Sequence, residues 1–430
     1  MKRGVFILLA TILIPWYLQA QGSTSEPQKL TLNEAINFAV QHNKELQASQ
    51  MDIELRNKMV TEAISQGLPQ INGDLNYSTN FKYKMNFMGA SNTLKDQSSV
   101  GVSVSQLLFS GQWILGIQTS KIAKQIAAQQ VDITELDIKE TVYNSYYTIL
   151  VSERLMEIVR MNLENMNQIL THTDNMYKVG TAEITDVDQI RITVGQLKNS
   201  LLAMQRTVDV NYNLLRLQLG LQAGTPLQLT DQLESFLTEG NFLKLAVQKF
   251  DINKNIQYQL MQTQEELQKK MVGLKKWAYS PTISANYGYT YKILKPSFDF
   301  SPKHSASITM SIPVFSGLQR KAQLDQEKIT LEQTTLNKSL LEDQLNLQEE
   351  QYKFALKNAL EDYNLQKENI EVARKVLDHY QNKFKAGTVS SLDLTQANNN
   401  YLQAENNYTS ACLTLLQAQT QLEKLYNELK

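Results

Sequence analysis

The 430 residues, enough for two or three ordinary domains, carry 42 basic and 43 acidic side chains, a formal net charge of −1. That balance excludes an overall polyanion-binding footprint, and with it a nucleic-acid partner. Only 20% of residues are charged while 42% are hydrophobic, so uncharged Gln, Asn, Ser and Thr supply most of the water-facing surface.

Residues 1–20 read as a signal peptide: Lys2 and Arg3, an apolar run from Val5 to Ile14, and a cleavage site after Leu18-Gln19-Ala20. The apolar run falls short of the ~20 residues of a membrane-spanning helix, and no cysteine follows it to accept a lipid. The exported remainder holds no second run of spanning length.

Thr31-Leu32-Asn33-Glu34 is a capping-box pattern that opens a helix running towards Gly67, with Pro69 as its stop. The period then changes from 3.6 to 2. Ile71, Leu75, Tyr77, Phe81 and Tyr83 alternate with Asn72, Asp74, Asn76, Ser78, Asn80 and Lys82, and Val100, Val102 and Val104 alternate with Gly101 and serines. This predicts a β-hairpin over about 69–109 with one apolar and one polar face. After Phe109-Ser110-Gly111 comes a long helix over about 112–179, then the turn Tyr177-Lys178-Val179-Gly180-Thr181. A further helix over about 185–219 carries a heptad seam: Val187, Ile190, Val194, Leu197, Leu201, Met204 and Val208. Residues 220–240, with Gly224 and Pro226, break the pattern and read as a connector.

The order then repeats over 241–430: a helix, a hairpin over about 281–315, a long helix over about 318–386, and a heptad helix over about 391–429. The second hairpin sets Ile283, Ala285, Tyr287, Tyr289 and Tyr291 against Ser284, Asn286, Gly288 and Thr290, and ends in Phe315-Ser316-Gly317. Its long helix spaces Leu324, Leu331, Leu345 and Tyr352 by heptads, interrupted at Lys338. Gly180 and Gly387, like Val187 and Leu394, stand 207 positions apart, so 21–219 and 241–430 are two copies of one unit. No glycine or proline falls between Gly116 and Gly180 or between Gly317 and Gly387, and each stretch as a helix would reach on the order of 100 Å.

Strands with one apolar face survive in lipid only within a closed barrel, because open edges leave backbone groups unpaired. Four per chain implies closure between chains, and three copies would give twelve strands. Phe109, Trp113, Trp277 and Phe315 fall at the strand–helix junction, where a membrane-interface girdle would sit. The alternative is a secreted or surface coiled-coil scaffold without a channel, its strands forming a soluble sheet packed on the helices. Nothing points to an enzyme. The four histidines (His42, His172, His304, His379) lack ligand spacing, and no metal-protease, nucleophile-elbow or phosphate-loop pattern occurs, so no catalytic, cofactor or metal site is expected. Cys412, the single cysteine, excludes a disulfide framework and lies in the heptad helix as a small apolar residue.

This order of elements, with both Phe-Ser-Gly closures, both Lys-x-Gly-Thr turns and the proline-led strands after Leu68 and Ser280, resembles the TolC family of outer-membrane efflux proteins over about Leu30 to Lys430. The resemblance implies a mainly α fold with a transmembrane β part: a homotrimer whose 12-stranded β-barrel sits in outer-membrane lipid and continues as an α-helical tunnel in the periplasm. It implies a periplasmic adaptor protein and an inner-membrane pump as partners, and no cofactor. It places Gly180, Thr181, Gly387 and Thr388 at the periplasmic tip, where the adaptor docks. Near the tip it places the pore constriction at Asp393 and Gln396, with Asp186 after the first turn. Gln396 stands where the family's best-known member has a second acid, and Val389 replaces the family's gate-locking arginine. For Asp186 and Asp393 an equally good reading is helix capping.

Overall fold

Local caps decide where the helices of this chain begin and end. The computed structural model describes residues 27–87, 90–295 and 299–429, and the signal segment expected at 1–20 lies outside them. In chain order the elements are β1 (Gln28–Leu30), α1 (Leu32–His42), α2 (Lys44–Ser65), β2 (Gln70–Ser78), β3 (Lys84–Phe87), β4 (Ala90–Thr93), β5 (Gln97–Ser110), α3 (Gly111–Lys178) and α4 (Ile184–Gln218). There follow β6 (Leu227–Leu229), α5 (Glu239–Val247), α6 (Ile256–Trp277), β7 (Thr282–Leu294), β8 (His304–Ser311), α7 (Gln319–Lys385) and α8 (Ser391–Leu425). None of the described helices is long and apolar enough to cross a membrane.

Thr31 and Glu34 form the capping box, with the Glu34 amide donating to Thr31 Oγ1 at 3.3 Å and the Thr31 amide donating to Glu34 Oε2 at 2.8 Å. The single helix expected from there to Gly67 is two helices, because Asn43 leaves helical geometry at ψ 127° and caps α2. Its Oδ1 accepts from the amides of Glu45 (2.8 Å) and Leu46 (3.2 Å), and its Nδ2 donates to the Gln218 carbonyl (2.8 Å) at the end of α4. Asn255 does the same in the second half. Its Oδ1 accepts from Gln257 (3.0 Å) and Tyr258 (3.1 Å), and its Nδ2 donates to the Leu425 carbonyl (3.0 Å) at the end of α8. Each asparagine therefore seats a strand-bearing helix on the end of a heptad helix.

The largest core surrounds these two joints. Tyr146, fully buried, donates from its hydroxyl towards Asp231 Oδ2 (2.9 Å) and lies 3.1 Å from the Leu30 carbonyl, while the Leu32 amide donates to the same Asp231 oxygen (2.7 Å). β1 and β6 pair in parallel there, and the 220–240 connector packs as β6, a short 3₁₀ turn at Leu233–Phe236 and the start of α5. Lys338, the break in the α7 heptads, reaches Glu265 of α6 (2.5 Å), so the interruption holds a cross-helix ion pair.

The four long strands make one sheet in the order β2-β5-β7-β8, all neighbours antiparallel. Register aligns the faces across it. Ile71 sits opposite Val104 and that opposite Tyr287; Leu75 sits opposite Val100 and that opposite Tyr291; Ala285 sits opposite Ile308. The other face lines up Asn72 with Ser103, and Ser284 with Thr309. Ile71, Leu75 and Ile308 are all exposed, and both edge strands, β2 and β8, lack an outer neighbour among the described residues.

Two strands end earlier than expected. Phe81 and Lys82 are not on the β2 face: both have positive φ (46° and 55°), in a turn where the Phe81 amide donates to Thr79 Oγ1 (3.2 Å) and Thr79 donates to Asp96 (2.7 Å). β8 stops at Ser311, because Pro313 has no amide to extend the ladder.

The Asn255→Ala variant removes a cap and leaves the Leu425 carbonyl unpaired, so it should destabilise by about 2 kcal/mol. A lower urea midpoint by circular dichroism is the expected result, with Asn255→Asp intermediate because it keeps the cap acceptor alone. An unchanged midpoint in both would show that the joint contributes nothing.

Candidate functional site

Both glycine turns have the same hydrogen bonds. At the first, Gly180 takes φ 77°, its amide donates to the Tyr177 carbonyl (2.9 Å), and the Thr181 amide and hydroxyl both donate to the Met176 carbonyl (2.9 and 3.0 Å). At the second, Gly387 takes φ 72°, its amide donates to Phe384 (2.9 Å), and Thr388 donates twice to Lys383 (3.0 and 3.0 Å). A left-handed glycine followed by a threonine thus satisfies the last helical carbonyls and turns the chain back within a few residues. Gly180, Thr181, Gly387 and Thr388 are all exposed, as is Val179 just before the first turn's glycine.

The acids near the turns make specific bonds. Ser390 and Asp393 form a capping box: the Asp393 amide donates to Ser390 Oγ (3.2 Å), and the Ser390 amide (3.2 Å) and hydroxyl (2.7 Å) donate to Asp393 Oδ2. These bonds from Ser390 hold the Asp393 carboxyl below its ordinary pKa. Asp186 accepts from the Ser391 hydroxyl at 2.6 Å, a bond between the first turns of α4 and α8. Gln396 is exposed one turn beyond Asp393 and donates to Asn400 (2.9 Å), while Val389 packs on the apolar cluster containing Phe384 and Leu394. Asp393 and Gln396 therefore share one exposed face, and Asp186 sits at the joint between the two halves.

At the strand–helix junction the aromatics meet glycines. The Trp113 indole donates to the Ala63 carbonyl (2.8 Å) and lies so close over Gly67 that a Cβ there would come within 2.2 Å of the ring. Trp277 covers Gly111 in the same way, at 2.1 Å, and meets Phe109 edge-on at 6.4 Å. A bulge between Leu107 and Phe109 shifts the register so that Phe109 pairs with Ile283 on the apolar face. Phe315 is exposed beyond the end of β8.

The sequence reading followed one heptad stripe on α7 and missed a second. Ile329, Leu336, Leu340, Leu347, Phe354, Leu365, Val372 and Val376 recur at steps of 4, 7 and 11 and are all exposed. The duplication identifies what they lack. Ile122, Tyr147, Ile158 and Ile169 of α3, each 207 positions earlier, are 8%, 4%, 4% and 4% exposed; Ile329, Phe354, Leu365 and Val376 are 57%, 66%, 54% and 40% exposed. α3 is flanked by α6 and α8 of the second half, whereas among the described residues α7 packs chiefly on α6 and α8 of its own half. The heptad spacing and the offset were both present in the sequence and would have revealed this stripe.

Comparison with known proteins gives a consistent picture. The family described as outer membrane efflux protein matches residues 35–221 and 255–428. The chain is 23% identical over 432 residues to Outer membrane efflux protein BepC of Brucella suis biovar 1 (strain 1330), spanning 96% of this chain and 89% of that protein. Its fold is similar to that of CusC, with a TM-score of 0.77 at 15% identity over 92% of this chain and 91% of that one. It is similar also to the outer membrane protein VceC of Vibrio cholerae, with a TM-score of 0.72 at 14% identity over 92% and 95%. The outer membrane channel CmeC of Campylobacter jejuni gives a TM-score of 0.74 at 13% identity over 92% and 85%.

Gly111→Ala forces Trp277 off its seat and should destabilise by about 1–3 kcal/mol, as overpacking does. Gly116, with nothing within 4 Å of a Cβ, is the matched control. Tryptophan emission should shift in Gly111→Ala and not in Gly116→Ala; identical spectra would refute the packing.

Proposed function

The chain belongs to the outer membrane efflux protein family, outer-membrane proteins with a periplasmic helical part, and from that premise we propose that three copies close into a passive exit duct. The observation that carries this reading is the uncovered stripe of α7. A surface that the first half buries against the second calls for another first half, and a ring of identical copies supplies it at every joint. Exposed apolar residues on α2 (Met51, Leu55, Met59) and α4 (Ile192, Leu202) give the matching flank. The sheet makes the same demand, since β8 of one copy and β2 of the next both need a partner. Four strands per copy then give a twelve-stranded barrel with Ile71, Leu75, Val100, Tyr287 and Ile308 towards lipid and serines and asparagines towards water. A soluble coiled-coil scaffold would need the apolar sheet face covered, and it is exposed.

In this reading the two glycine turns form the periplasmic tip, and the exposed Gly180, Thr181, Gly387 and Thr388 receive a periplasmic adaptor protein. Asp393, Gln396 and Asp186 ring the constriction. The Ser391–Asp186 bond ties the two halves at that point, so an adaptor that separates the first turns of α4 and α8 breaks it as the tip opens. With no nucleotide site and no enzyme chemistry expected in the chain, the energy comes from an inner-membrane pump. The duct itself is passive.

Phe354→Glu places a charge in the joint between copies. Extraction in detergent followed by native mass spectrometry should give helical monomers in place of trimers; wild-type trimer yield would sink the assembly. Gly387→Leu should leave trimers intact and abolish pump-dependent export, with Gly387→Asn milder because asparagine tolerates positive φ. Normal export by Gly387→Leu would remove the tip from the docking role.

A further inference from the structure

α8 has one open face, and that face has no charge beyond its first turn. Between Leu394 and Leu422 the only ionisable acid or base of the Asp, Glu, Lys, Arg and His types is Glu405, which is buried and accepts from the Tyr401 hydroxyl at 2.5 Å. The exposed positions Gln396, Asn400, Gln403, Asn407, Ser410 and Thr414 step by four and three from Asp393, a straight heptad stripe of carboxamides and hydroxyls. It extends roughly 30 Å at the helical rise. Within it Gln396 donates to Asn400 (2.9 Å) and Gln403 to Asn407 (2.8 Å).

Three observations turn this stripe towards the axis of the duct. α8 is flanked within its own chain by α3 and α7, so its open face is not the joint to another copy. Gln419 and Glu423, nearly half a turn away from the stripe, line a cavity with Phe236 and Lys244 of the connector belt. A belt of short elements must lie outside a clear tunnel, which puts the stripe inside. The corresponding positions of α4, 207 earlier, are Gln189, Thr193, Gln196, Ser200, Ala203 and Thr207, again without charge. Apart from Asp186, which stands 207 before Asp393, the charges of α4 (Asp188, Arg191, Lys198, Arg206, Asp209 and Arg216) all fall off this register.

We infer that the α8 stripe is a specificity-determining lining that passes polar solutes by exchange of neutral hydrogen bonds, whatever the sign of their charge, with Asp393 as its one fixed charge. This rests on the duct reading. Carboxamides offer both donors and acceptors, so a passenger of either sign finds partners along the stripe without being held by a counter-charge.

The test is the reversal potential of the purified trimer in planar bilayers under a KCl gradient. Asp393→Asn should lower the potassium-to-chloride permeability ratio, and Asp393→Asn combined with Asp186→Asn should bring it close to about one, because no other charge lies on either register. Gln403→Glu should raise the wild-type ratio by about threefold or more, and Asn407→Lys should move it in the opposite direction. Opposite shifts from these exposed positions support the lining even if one variant assembles poorly. Unchanged ratios in both variants, or strong selectivity that survives the combined Asp186→Asn and Asp393→Asn change, overturn the inference while leaving a conducting duct. Trimers that never conduct would overturn the duct reading itself.

Discussion

The first half of this chain buries one flank against the second, and among the described residues the matching flank of the second half has no such cover. That constraint governs the helices and the sheet alike. α3 has α6 and α8 beside it and buries Ile122, Tyr147 and Ile158, whereas α7, built on the same pattern, leaves Ile329, Phe354 and Leu365 in water. β5 is paired on both sides, while among the described residues β2 and β8 each have one free edge. Exposed apolar side chains and unpaired strand edges leave both a hydrophobic and a hydrogen-bonding demand unmet within the described residues.

Within one chain, two carboxamides keep the architecture continuous. Asn43 and Asn255 end one helical path and start another without an intervening loop, because a single side chain caps the new helix and ties the carbonyl end of the old one. The core around Tyr146 and Asp231 locks the same level against the connector. Close above the sheet, Trp113 over Gly67 and Trp277 over Gly111 set how the helices enter the strands.

The far end is built more lightly. Gly180 and Gly387 turn the long helices back through bonds that involve only local carbonyls and a threonine, and the bond from Ser391 to Asp186 is a side-chain contact between the two first turns. Few and partly exposed bonds make this end of the bundle the easier one to open locally. The acids have a structural share in this. Asp393 closes its capping box with Ser390 while standing on the exposed face with Gln396.

By itself the sequence determined what depends on neighbours in the chain: the two-residue period of the strands, the Thr31 capping box, the glycine turns, and the duplication that repeats them. These are short-range choices of propensity and capping, written in a few residues each. It also held the α7 stripe in its heptad spacing, which was passed over because pattern alone does not say which of two stripes is covered. The tertiary structure decided what depends on distant residues. It broke the first helix at Asn43, where the Gln218 carbonyl rewards the break. It ended β2 before Phe81 through the bond from Thr79 to Asp96, turned Phe109 to the apolar face with a bulge, and paired Lys338 with Glu265. Each of these outcomes needs a partner brought close only by the fold, and no local window of sequence contains it.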